Sequence, residues 1–201
     1  TAARILQYYG RDANQHEVAD VAKTNARTGS SMEVLEEALQ NISYGYRFKL
    51  ETMGQYIISD TKIYAKYRSL LIKELFEAGH CTRNGKWKNK PDDKTFNKYV
   101  IAAALGADTY QLKKFTQNIK KQIDRGQPLA WGLALGIIKE KDIPQASGGH
   151  MRIILGYNMK KDELLYTDSW GAGHEPKRIN FTLAFAPTMA LWKFYPKSSS
   201  F

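Results

Sequence analysis

The chain has 201 residues, 43% hydrophobic and 25% charged, with a net charge of +10 from 30 Lys plus Arg against 20 Asp plus Glu. That is enough for one domain with a sizeable buried core, and its single cysteine, Cys81, excludes an intrachain disulfide framework, a CxxC pair or a zinc-ligand cluster. No apolar run approaches a membrane span, no signal peptide is visible, and the lysines are scattered rather than gathered in a tract, which argues against a nucleic-acid partner.

The first residues, with Ala2, Ala3, Ile5, Leu6 and Tyr9 at helical spacing, predict a helix ended by Gly10. It has no cap or first turn of its own, so its start is expected upstream of Thr1. Asn14 can cap a second short helix through Val18 and Val21. Ser30 and Glu33 have capping-box spacing ahead of a helix running to Ile42. A strand is expected over Tyr44–Leu50. Helices follow at Thr61–Ala78, Phe96–Leu105 and Thr109–Arg125, with a lysine-rich loop at Arg83–Asp93 broken by Gly85 and Pro91.

After Gln127-Pro128 the pattern changes to strands: Leu129–Leu135 with Ile137-Ile138, His150–Tyr157, Glu163–Thr167, Lys177–Phe181 and Ala190–Tyr195, with a helical turn within Phe181–Met189. Helices first and strands second predict an α+β fold, an N-terminal helical layer packed on a C-terminal antiparallel sheet. The expected organisation is a single domain, residues 1–201. It comprises an N-terminal helical part (1–49), a helical insertion (50–126) and a sheet part (127–201).

Gly148-Gly149-His150 opens one strand, and Asp168-Ser169-Trp170-Gly171 closes the next. If those strands pair through a turn at Met159–Asp162, Asp168 lies beside His150. A carboxylate on one imidazole nitrogen fixes the tautomer and stabilises the imidazolium, which is the base-and-orienter arrangement of acyl-transfer enzymes. A buried His–Asp hydrogen bond without chemistry fits the same spacing about as well. Gly149 gives a substrate's main chain room to approach. His174 is close enough in sequence to line the same cleft, although an ordinary loop histidine is the blander reading.

These segments resemble the histidine strand and the Asn/Asp-Ser-Trp-Gly motif of papain-like cysteine peptidases. The opening Ala3-Arg4-Ile5-Leu6-Gln7-Tyr8-Tyr9-Gly10, with Val18-Ala19 and the Gly29-Ser30-Ser31 turn, resembles the bacterial group similar to double-glycine, bacteriocin-processing peptidases. The resemblance covers roughly 1–42 and 127–195. It implies a papain-like fold, His150 as general base and acid, Asp168 as its orienter and Trp170 as a shield over their bond. It also implies a nucleophilic cysteine about one turn before Thr1, where a helix N-terminus lowers a thiol pKa. A chain starting at Thr1 would lack that nucleophile and be inactive. The expected partner is a peptide or protein substrate, with no metal and no cofactor. A bacterial secreted or cell-envelope setting is suggested, while compartment and oligomeric state stay open.

Two other readings compete. One is a peptidase-like domain without a nucleophile that binds a peptide or protein partner. The other is a basic binder of anionic polymers, resting on charge alone. Cys81, beside His80, is a poor substitute nucleophile, because adjacent residues in an extended segment point apart.

Overall fold

The computed structural model describes residues 1–21, 32–140, 148–168 and 175–197. Three helices come first, α1 (Ala2–Tyr8), α2 (Gln15–Val21) and α3 (Met32–Gly45), followed by strand β1 (Phe48–Gln55). Three more follow, α4 (Thr61–Glu77), α5 (Asp93–Ala107) and α6 (Thr109–Ile123). The rest is β2 (Leu129–Leu135), β3 (Gly148–Asn158), β4 (Glu163–Thr167), β5 (Lys177–Asn180), the short α7 (Phe181–Phe185) and β6 (Thr188–Pro196). The fold is α+β: the six strands form one sheet in the order β1-β6-β2-β3-β4-β5, antiparallel throughout. None of the described helices is long and apolar enough to cross a membrane.

Local chemistry sets several boundaries. Gly10, at φ 73°, lets the chain turn back after α1, where its N–H reaches Gln7 O and the Arg11 N–H reaches Leu6 O. Asn14 Oδ1 accepts from the His16 N–H at 2.8 Å and starts α2. Asp60 caps α4 and Asn180 caps α7 in the same way. The Ser30 cap expected for α3 lies outside the described residues.

The strand expected over Tyr44–Leu50 is displaced. The helix persists through Gly45, Tyr46 N–H still bonds to Ile42 O, and Arg47 turns the chain at φ 56°. The strand starts at Phe48 and gains its partner from β6, nearly 150 residues away in the register Phe48↔Pro196. Pairing that distant leaves no local signature, whereas the helical periodicity up to Ile42 continues naturally for another turn. Ile137 and Ile138 lie beyond β2, which Gly136 ends at φ 81°. Phe181 belongs to α7 because Asn180 stops β5 and caps the helix.

The sheet is covered on both faces. Successive residues of a strand point to opposite sides, yet Leu129 through Leu133 are buried without interruption. On one face Ile5 and Leu6 of α1 and Leu39 and Ile42 of α3 pack with Phe48, Ala130, Ile153, Trp192 and Phe194. On the other, Val100 of α5, Phe115 and Ile119 of α6 and Phe185 of α7 pack with Leu129, Trp131, Ile154, Leu164 and Leu191. A fully buried Leu, Ile or Phe contributes roughly 1.5–3 kcal/mol, so both layers hold β2 and β3 rigidly in register. The helices of 50–126 supply the second layer, and the start of that segment completes β1.

Candidate active site

His150 is the third residue of β3 and lies opposite Leu133 of β2. Asp168 follows directly on β4, whose register against β3 sets Thr167 opposite Ile153. The hairpin turn occupies Met159–Asp162, with Asp162 at φ 54°. These strands bring the two side chains together: His150 Nε2 is 2.8 Å from Asp168 Oδ1, and the residues are only 8% and 5% exposed.

The second carboxylate oxygen is engaged too. Arg152 Nε donates to Asp168 Oδ2 at 2.8 Å. The rest of the Arg152 fork donates to Glu140, Nη1 to Oε1 at 3.0 Å and Nη2 to Oε2 at 2.8 Å. The Tyr166 hydroxyl donates to Glu140 Oε1. Arg152 Cζ lies 5.6 Å from the Trp131 ring centroid and 5.0 Å from that of Tyr166, both within cation–π range. Burial pulls the Arg152 pKa down, but bonding to Glu140 and the carboxylate charges of Glu140 and Asp168 outweigh it, and the net shift is upward. Burial and the Glu140 charge push the Tyr166 hydroxyl well above its usual range, so it stays protonated as a donor.

Helix α1 begins against this cluster. Thr1 Oγ1 donates to the Met151 carbonyl at 2.8 Å, one residue past His150. Arg4 Nη1 donates to Thr167 Oγ1 at 2.9 Å and to the Asp168 carbonyl at 3.4 Å.

Gly149 pairs with Ala134 beside the histidine and is half-buried, while Gly148 takes φ 135°, a conformation that a side chain rarely adopts. Trp170 and His174 lie outside the described residues. Cys81 is buried in a separate bridge with Trp87, its Sγ 3.7 Å from the Ile72 carbonyl oxygen, and the neighbouring His80 Nδ1 bonds to Asn89 O.

Sequence reasoning overlooked Arg152, Glu140 and Arg4. Arg152 did carry a signal. It interrupts the apolar run Met151–Leu155 two residues from His150, so it shares a strand face with the histidine, and a charge inside such a run needs a buried partner. Glu140, past the end of β2, carried none.

A helix-flanked antiparallel sheet with this order of elements is the papain-like architecture, in an α+β chain related to the cysteine peptidases. The family model described as "Peptidase_C39 like family" matches residues 78–195, more than half of the chain, and the protein belongs to that family. The matched range takes in His150 and Asp168, together with the second half of the central segment, for which sequence reading had found no relative. None of the curated proteins matches the chain.

Proposed function

We propose that the chain is the histidine-bearing part of a papain-like cysteine peptidase that hydrolyses a peptide bond through a thioester. The nucleophilic cysteine lies in sequence preceding Thr1. The observation carrying this reading is the buried 2.8 Å contact of His150 Nε2 with Asp168 Oδ1 in a chain of the Peptidase_C39 like family. The docking of Thr1 on the Met151 carbonyl supports the position of the nucleophile, because it sets the N-terminal end of α1 beside the residue that follows His150.

With Asp168 on Nε2, the other ring nitrogen, Nδ1, exchanges protons with the reacting groups. It takes the thiol proton, and the thiolate attacks the peptide carbonyl carbon. The imidazolium then gives that proton to the leaving nitrogen as the C–N bond breaks, which leaves a thioester. In the second half His150 takes a proton from water, the water oxygen bonds to the acyl carbon, and the C–S bond breaks to restore the thiolate–imidazolium pair. Asp168 stabilises the imidazolium in both halves. Gly149 leaves space beside the imidazole for the substrate's main chain, and the substrate is a peptide or protein.

A peptidyl electrophile tests the reading in the full-length protein. The expected result is labelling of one cysteine upstream of Thr1, lost in His150→Ala. A folded full-length protein that is neither labelled nor able to cleave any peptide overturns it in favour of a peptide-binding domain without a nucleophile.

A further inference from the structure

Among the described residues Arg152 is the one lysine or arginine that is buried, at 0% exposure. A lone buried guanidinium would be strongly destabilising, so its partners define its purpose. They are two carboxylates of different character. Glu140 accepts from both Nη atoms in a fork, while Asp168 accepts from Nε through one oxygen and meets His150 through the other. The Trp131 and Tyr166 rings hold the guanidinium from the sides.

We infer that Arg152, clamped by Glu140, is a positioning residue that fixes the Asp168 carboxylate on His150 Nε2 and sets the charge that the imidazole senses. This rests on the peptidase reading above. A carboxylate held at one oxygen can swing about its Cβ–Cγ bond, and one held at both cannot. Arg152 supplies the second hold, but its positive charge two residues from His150 works against the imidazolium. Glu140 offsets that charge. With an imidazolium the cluster holds Arg152 and His150 as cations against Asp168 and Glu140 as anions, so it is balanced in the form that the reaction requires. Among the described residues, the other groups facing this cluster are the Tyr166 hydroxyl on β4 and Arg4 on α1. Arg4 bonds to the Asp168 carbonyl rather than to its carboxylate.

The arrangement predicts titration shifts of opposite sign, which a merely structural role would not produce. In the full-length protein, followed by the His150 Cε1–H resonance, Arg152→Met raises the His150 pKa by about one unit and Glu140→Gln lowers it by a similar amount. Arg152→Met also lowers kcat/KM about 10- to 100-fold through kcat, the loss expected when a hydrogen bond to a buried charge is removed. Arg152→Lys keeps the charge but cannot bridge two carboxylates, so it restores the titration and not the rate. Unchanged titrations in folded variants, or shifts of the same sign, overturn the inference. If Arg152→Met does not fold, Glu140→Gln decides alone: a downward shift supports the inference and no shift overturns it. Failure of the peptidase reading is separately visible, as a wild-type protein that cleaves nothing while its variants still shift the titration.

Discussion

Trp131 and Arg152 are direct partners across β2 and β3, and the indole that flanks the guanidinium is anchored from behind by Thr188. Trp131 Nε1 donates to Thr188 Oγ1 at 2.8 Å, and the same hydroxyl donates to the Ala184 carbonyl at 2.7 Å. All of this is buried. Thr188→Val conserves shape but leaves the indole N–H and the carbonyl without that partner. The expected loss of stability is about 1–3 kcal/mol, measured by chemical denaturation. A neutral result would mean that Trp131 finds another acceptor.

The His150–Asp168 contact makes a graded prediction for catalysis. His150→Ala removes the proton carrier and should lower kcat/KM about 10²- to 10⁴-fold. Asp168→Asn keeps an acceptor for the Nε2 proton but removes the negative charge shared with Arg152. Its expected loss is no smaller than that of Arg152→Met, about 10- to 100-fold, because the one carboxamide oxygen cannot accept from both His150 Nε2 and Arg152 Nε, and the His150 pKa is lowered. Peptide cleavage by the full-length protein, assayed across pH, checks both. Equal activity in wild type and His150→Ala would remove His150 from the reaction.

The site was half legible in the sequence, for a physical reason. His150 and Asp168 are joined by one hairpin, so strand period and turn length were enough to bring them together, and β4 was read at its observed bounds, Glu163–Thr167. Glu140 belongs to the same cluster but reaches it from beyond the end of β2, and no local pattern encodes that approach. The same limit explains β1. Its residues alternate weakly, and their strand character comes from β6 at the far end of the chain. The antiparallel sheet and its helices were readable from periodicity. Coverage of both faces was signalled only by the unbroken apolar run in β2, which is what burial on both sides looks like.

Gly132 shows how tightly that double burial is packed. A Cβ built there would stand 2.6 Å from Trp192 Cζ3 and 2.7 Å from Cη2. Trp192 is fully buried, so its ring has no open side to swing into. Gly132→Ala should therefore destabilise the protein by about 1–3 kcal/mol, a fall in Tm of roughly 2–10 °C. Gly156→Ala is the contrast. Its Cβ meets Leu165 at an ordinary 3.5 Å, and thermal melting should barely change. If both melt alike, the indole has moved aside.

The pairing of β1 with β6 carries its own pH signature. Glu51 accepts from Lys193 at 2.6 Å, from Lys49 at 2.9 Å and from the Tyr195 hydroxyl. Hydrogen bonding to Lys193, then to Tyr195 and Lys49, holds its carboxyl at a pKa of about 2 against an ordinary 4.5. A carboxyl whose folded pKa is depressed contributes stability above its unfolded value. That contribution is lost as pH falls through the folded one, so here it fades between about 4.5 and about 2. The side chain is 36% exposed, and solvent screening limits the contribution to about 0.5–1 kcal/mol. Wild type should exceed Glu51→Gln by that margin near neutral pH, and the two denaturation midpoints should converge as pH approaches 2. Because Glu51 lies far along the sheet order from β3 and β4, His150 chemistry should be the same in both proteins. A gap that persists at the acid end would assign the stabilisation to packing of the Glu51 stem rather than to its charge.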